Sequence, residues 1–287
     1  MKNYDFTYLD DLIHDDKNQI TLKHDIILSY DDIMKKYPKN ICIDVDNLVI
    51  DGNGHVIDGK NFARIFYVTS SNVILKNLTI KNGDSSKDGG SILNEGNLTL
   101  INCFIEDSYA INGGAIFNNR GFINIINSMF SNNLAKYDGG AILNTGELNI
   151  KGSTFIENRG NMGGAISNIK KITIKDTLFV DNLVLHDEPL GGTIQNYHRG
   201  NIKVVSSIFS LRIKNDHPMI NNDSIISIKK SVFIDFHNLK KENIIKSTDD
   251  ENLHLKFCRF YNKRKLYKLF IFIHLLKHKL YDYRYGN

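Results

Sequence analysis

From Val73 onward the chain repeats one arrangement of apolar and polar positions: apolar, any residue, apolar, then four residues, then a large apolar residue. Val73/Leu75/Ile80, Ile123/Ile125/Phe130, Leu148/Ile150/Phe155, Ile172/Ile174/Phe179, Ile202/Val204/Phe209, Ile226/Ile228/Phe233 and Leu253/Leu255/Phe260 follow it, and Leu98/Leu100/Phe104 fits with one residue fewer. A period of two describes short strands with one buried face. No segment between Lys39 and Asn262 holds a 3.6-residue period for ten residues, so helical repeats fit badly.

A second pattern runs in phase with the first. Gly-Gly pairs at Gly89, Gly113, Gly139, Gly163 and Gly191 are separated by 24, 26, 24 and 28 residues. They open the hexapeptides GGSILN, GGAIFN, GGAILN, GGAISN and GGTIQN, which always end on Asn: Asn94, Asn118, Asn144, Asn168 and Asn196. A coil of about two dozen residues, with two or three short strands and tight turns, closes once around an axis and pairs in parallel with the next coil about 4.8 Å away. The expected fold is therefore all-β, a single-stranded, right-handed parallel β-helix of eight or nine coils. Inward Ile and Phe stack into an apolar column, the Gly pairs serve sharp turns, and the Asn residues form a ladder of amides.

The ends depart from the repeat. Residues 1–46 read as an N-terminal cap. Thr7–Ile13 is a short amphipathic helix with Thr7 as N-cap, Asp10 three residues on, and Leu9, Leu12 and Ile13 on its apolar face. Strands at Gln19–Leu22 and Ile41–Val45 lead into a first coil, NLVIDGNGHVIDG at Asn47–Gly59. Residues 47–262 are the β-helix. Residues 263–287 form a basic, apolar tail in which Leu266, Leu269, Phe270, Ile273 and Leu280 lie at helical spacing, with Leu276 beside them. A helix that plugs the last coil is the simplest reading, and a Lys-rich interfacial helix the sharper one.

Charge and cysteine usage narrow the picture. The net charge of +4 comes from that tail, which has five Lys and two Arg against one Asp; the rest of the chain carries 29 basic and 31 acidic residues. A nearly neutral body with a basic end does not describe a nucleic-acid-binding surface. Cys42, Cys103 and Cys258 have no metal-ligand spacing and read as small apolar residues. The first sixteen residues contain no apolar stretch of signal-peptide length, and no run reaches the roughly 18 apolar residues that span a bilayer. The chain alone points to a cytoplasmic protein or a piece of a longer secreted one.

GGAIxN followed by FxxN, at Phe130–Asn133, Phe155–Asn158 and Phe179–Asn182, resembles the repeats of chlamydial polymorphic outer-membrane proteins. IDGNGHVIDG followed by GGAI repeats is closer still to the adhesin-like proteins of methanogenic archaea. The resemblance covers Asn47 to Asn262 and, loosely, the N-terminal helix. It implies a right-handed β-helix displayed on the cell surface or secreted, with a role in adhesion. No secretion signal, autotransporter barrel or anchoring domain of those families is read in these 287 residues, so the expected location stays open between the cell surface, the cytoplasm and a piece of a longer secreted protein.

Parallel β-helices also carry polysaccharide lyases and glycoside hydrolases, so function has to be argued from a site. Arg212-Ile213-Lys214 matches a tripeptide of polygalacturonases, but the Asp pair and Gly-His-Gly of that family are missing. Asp249-Asp250 is out of order for such a pair, and His55 belongs to the first coil's turn. A better constellation lies two residues after the large apolar positions: Glu106, Asn132, Glu157, Asp181, Leu211 and Asp235. Stacked Glu157 and Asp181 would place carboxylates about 5 Å apart, as in a retaining glycosidase pair or a cation site. The competing explanation is that acidic and Asn residues favour turns, with both carboxylates exposed beside Arg159 and no Arg or aromatic subsites converging on them. No residue is assigned a catalytic, cofactor-binding or metal-binding role, and no cofactor is expected. The expectation is a monomeric, non-catalytic adhesin-like protein that contacts glycan or a protein on a host or neighbouring cell, with no nucleic acid and with membrane contact only through residues 263–287. The alternative is a polysaccharide lyase or glycoside hydrolase.

Overall fold

The structure, a computed structural model, describes residues 4–15, 17–34, 40–185, 191–212, 217–235, 244–248 and 253–262. Their strands stack into three long parallel sheets of ten, nine and ten strands, with a fourth, short sheet of five. One long sheet begins at Gln19–Thr21 and ends at Leu253–Lys256; its inward positions are the Leu/Ile pairs of the repeat. In a second, six successive strands end on the recurring Asn, as at Ile142–Asn144, and a third carries the large apolar residue, as at Thr154–Ile156. These are called the Leu/Ile, Asn and Phe sheets below. The short sheet, Asp84–Asp88 to Leu183–Val184, follows the Phe sheet in each coil.

Every step between neighbouring strands is parallel, so the chain forms a parallel β-solenoid. Between residues 47 and 262 two sheets have nine strands and the third has eight, the expected number of coils. At about 4.8 Å per rung this stretch is about 40 Å long. The three sheets also extend back before Asn47. Gln19–Thr21 pairs with Val49–Asp51, Ile26–Ile27 with Ile57–Asp58, and Ile41–Ile43 with Phe66–Val68. The strands leading into the first coil are thus its neighbouring rung.

The interior is a set of columns. Phe130, Phe155, Phe179 and Phe209 stack with ring centroids 4.8, 5.1 and 4.7 Å apart, and Phe233 and Phe260 continue the stack at 5.0 and 5.1 Å. Phe130 through Phe233 are buried, each contributing roughly 1.5–3 kcal/mol by leaving water. One expected member is corrected: Ile105, not Phe104, pairs with Ile80 and Phe130 and is fully buried. Phe104 sits in register with Thr79 and Met129 and is half-buried. The repeat is therefore unbroken at this coil, and the column simply holds Ile where later coils hold Phe.

The Asn ladder is present and buried. Asn94 donates to Asn118 (2.8 Å), Asn118 to Asn144 (2.7 Å), Asn144 to Asn168 (2.8 Å), Asn168 to Asn196 (2.9 Å) and Asn196 to Asn222 (2.7 Å). Asn94 Oδ1 has no donor, because Val68 occupies the preceding rung. A second ladder of buried amides links Asn133, Asn158 and Asn182 at 2.9 and 2.8 Å. The Gly pairs have two separate causes, as Gly113 and Gly114 show. Gly113 has φ of +58°, and a Cβ on Gly114 would lie 2.2 Å from the Gly140 carbonyl oxygen of the next coil.

At the N-terminal end the helix spans Phe6–Ile13 (α1), and its N-cap is Asp5, not Thr7: the Asp5 carboxylate accepts from Tyr8 N at 3.1 Å. Phe6, Leu9 and Ile13 are buried, while Leu12 is only half-buried. Thr7 instead bonds Asp32, in the short helix Tyr30–Met34 (α2). Asp32 is buried and accepts from Phe6 N (3.3 Å), Thr7 N (3.1 Å), Thr7 Oγ1 (2.7 Å), Ser29 N (2.8 Å) and Ser29 Oγ (2.9 Å). Burial pushes its carboxyl up, but the bonds from Ser29 and Thr7 outweigh that and hold it below its ordinary value. Cys103 is buried, with its thiol pushed up to about 12, whereas Cys42 and Cys258 are half-buried rather than core residues; all three are free thiols. The helix expected in residues 263–287 lies outside the described residues.

Candidate functional site

The carboxylates singled out by the sequence lie at the corner after the Phe sheet. There the chain adopts left-handed backbone in five successive coils: Asn82 (φ 53°), Asp107 (53°), Asn132 (55°), Glu157 (56°) and Asp181 (48°). This corner, two residues past each inward Ile or Phe, includes Asp107 and not Glu106, which is buried in the strand opposite Ser131. Asn and Asp tolerate left-handed backbone better than other residues with a side chain. The corner's composition is therefore set by its backbone, and Glu157 is the residue that fits it worst.

Asp181 is buried at 1% exposure, which corrects the expectation of two exposed carboxylates. Its Oδ1 accepts from the backbone N of Arg212 at 2.7 Å, and its Oδ2 accepts from Arg212 Nε at 2.6 Å and pairs with Nη2 as well. Arg212 Nη2 also lies 3.9 Å from Glu157 Oε1. An Arg does converge on the pair, but it is Arg212 from the following coil. Arg159 is exposed in the short sheet, opposite Leu134 and Leu183. The arrangement ties three coils together through one guanidinium.

Of the other candidates, His55 Nδ1 lies 3.1 Å from Asp25 Oδ1, which also accepts from Val56 N, so His55 fastens the first coil to the chain before it. Ile213, Lys214, Asp249 and Asp250 lie outside the described residues, and the side chain of Asp235 is likewise not described. One cluster, on the outer side of the Asn sheet, is signalled by no motif or spacing in the chain. There Tyr197 donates to Asp138 Oδ1 and lies 2.9 Å from Met162 Sδ, and Ser167 Oγ donates to the same Asp138 oxygen at 3.3 Å. Burial raises both the Asp138 carboxyl and the Tyr197 phenol. Fifty-nine positions separate Asp138 and Tyr197, and only the coil register brings them together. Among the described residues no three His, Cys, Asp or Glu side chains are placed to hold a metal, and no helix is long and apolar enough to cross a membrane.

The widest surfaces are the outer faces of the sheets. On the Leu/Ile sheet the outward residues at the centre of successive strands are Thr99, Asn124, Asn149, Thr173, Lys203 and Ser227, one per rung in strict register. This face is regular and open, with hydrogen-bonding groups at its centre.

Comparison with known families agrees with the geometry. Residues 7–113 match a putative pectate lyase-like adhesive domain, and residues 127–145 match the Chlamydia polymorphic membrane protein repeat. Neither a curated protein nor a solved structure matches the chain. In fold this chain is a parallel β-solenoid, and over the matched residues it is similar to both families. These matches do not distinguish an archaeal relative.

Proposed function

We propose that this chain is a non-catalytic, cell-surface adhesin-type protein that acts as a monomer and binds glycan or protein through its rigid outer faces. The observation that carries this reading is the Arg212 clamp. A retaining glycosidase needs one carboxyl as proton donor and the other free as nucleophile. Both oxygens of Asp181 already accept from Arg212, and the same guanidinium faces Glu157. The left-handed backbone accounts for the remaining polar residues of the corner. The matched adhesive domain and surface-protein repeat support the same reading.

The test is a polysaccharide panel assayed for reducing ends and unsaturated products, together with binding to glycan arrays and whole cells. The expected result is binding without cleavage, unchanged in Glu157→Gln. Cleavage that this substitution abolishes would replace the adhesin with a glycoside hydrolase or lyase. Absence of binding to both glycans and cells would remove the adhesin reading.

A further inference from the structure

The outer face of the Leu/Ile sheet changes character along the solenoid. On the earlier rungs its outward positions hold Ile74 at the centre and Ile101, Phe122 and Ile126 at the flanks, and Lys76 there is paired with Asp51 at 3.1 Å. From Glu147 onward the charged outward positions of five successive strands are Lys151, Lys171, Lys175, Lys203, Lys229 and Lys256 against the single acid Glu147, with Val205 and Ile225 as the apolar exceptions. All six Lys are exposed. Lys171 pairs with Glu147 at 3.2 Å and Lys175 lies 3.9 Å from Asp176, while Lys151, Lys203 and Lys229 have no carboxylate within 4 Å among the described residues. Charges of one sign fixed on a rigid sheet repel one another, and an anionic partner relieves that repulsion.

We propose that this face is the binding site for a linear acidic polysaccharide, one bearing a carboxylate or sulfate on its sugars. The inference rests on the adhesin reading and names its ligand class. Lys151 and Lys175 stand in register on adjacent strands, as do Lys229 and Lys256. Rungs about 4.8 Å apart give such ammonium groups a spacing close to one sugar of an extended chain. Beside the column of Lys151, Lys175, Lys229 and Lys256, which Val205 interrupts, stand Asn149, Thr173 and Ser227, short neutral groups that can bond sugar hydroxyls. The outward positions of these five strands include no Phe, Tyr or Trp on which bases of a single-stranded nucleic acid could stack. Their outward apolar side chains are Val205 and Ile225 alone, well short of the continuous apolar face with which an interfacial element enters lipid.

The test compares the full chain with two variants. One carries Lys151→Gln, Lys175→Gln, Lys203→Gln and Lys229→Gln, all exposed positions, with folding checked by circular dichroism and thermal melting. The other carries Lys263→Gln, Arg264→Gln, Lys265→Gln and Lys268→Gln, to separate the face from the basic tail. Binding is measured against polygalacturonate, heparin, neutral dextran, oligo-dT and phosphatidylserine vesicles at two salt concentrations. The expected result is salt-sensitive binding to one or both acidic glycans, reduced about tenfold or more in the face variant and kept in the tail variant. Polygalacturonate against heparin tells carboxylate from sulfate. Equal binding by the face variant, loss confined to the tail variant, or tighter binding to oligo-dT or vesicles would overturn the proposal. If the chain still binds cells or neutral glycans while the face variant changes nothing, this inference fails and the adhesin reading stands. If nothing binds, both fail.

Discussion

Each coil has two polar corners, and they are built on opposite terms. At the Asn-sheet corner the residue is the same in six successive coils, Asn94 to Asn222, and each of the six is fully buried. A carboxamide has two N–H donors and a separate acceptor oxygen, so it can donate to the coil ahead, accept from the coil behind and still bond its own turn; Asp or Leu would break that chain of bonds, and Ser, with one hydrogen, would leave part of it unmade. At the corner after the Phe sheet, Asn82, Asp107, Asn132, Glu157 and Asp181 share a backbone conformation but not an identity. That corner requires tolerance of positive φ and leaves the side chain to find its own partner, which is Asp58 for Asn82 and Arg212 for Asp181. Invariance in this chain marks an internal hydrogen-bond demand, and variation marks a demand on the backbone alone.

The sharpest way to break this comparison is at Asn144. Its Nδ2 donates to Gly146 O (3.0 Å), Asn168 Oδ1 (2.8 Å) and Lys171 O (3.2 Å), and its Oδ1 accepts from Asn118 (2.7 Å) and Gly146 N (3.3 Å). Asn144→Leu should cost about 2–4 kcal/mol in urea unfolding, since it strands buried groups on both neighbouring coils. No measurable loss would mean that the ladder is incidental. Arg212→Gln should cost less, about 1–2 kcal/mol: the bonds to Asp181 are charge-assisted, but Arg212 is 30% exposed and water can replace part of what it supplies. A loss as large as that at Asn144 would show that the two corners are energetically alike. The smallest effect should have the opposite sign. Glu157→Asn should stabilise by about 0.5–1 kcal/mol by relieving left-handed strain, and a loss would show that the 3.9 Å contact with Arg212 outweighs the backbone.

Whatever repeats identically was legible before the structure. The Phe column, the Asn ladder, the parallel stacking and the number of coils between residues 47 and 262 all follow from spacing. Two local readings failed because residue size or type stood in for register. Bulk favours Phe104 over Ile105, but the unbroken seven-residue step from Leu98 leads to Ile105. Residue type makes Thr7 a plausible cap, but its hydroxyl serves Asp32, 25 residues away, and Asp5 caps the helix. The Arg212 clamp was hidden for a physical reason. In that coil the Phe-sheet strand runs on through Leu211, where earlier coils turn, and so delivers Arg212 back onto Asp181. The Lys face also needs the coil register to be seen, because its members on successive strands are 20 to 28 positions apart along the chain.

The Asn ladder has one more property: every link points the same way, with the amide of one coil donating to the carbonyl oxygen of the next, from Asn94 through to Asn222. All links being equivalent, excising the 24 residues from one hexapeptide to the next would rejoin Asn118 to Asn168 by the bond that each now makes with Asn144. Duplicating them would add a link of the same kind. Adding or removing one such unit would thus lengthen or shorten this protein by a whole coil without a new kind of junction. Reach is a quantity that this architecture can change in steps of one rung while the fold stays the same.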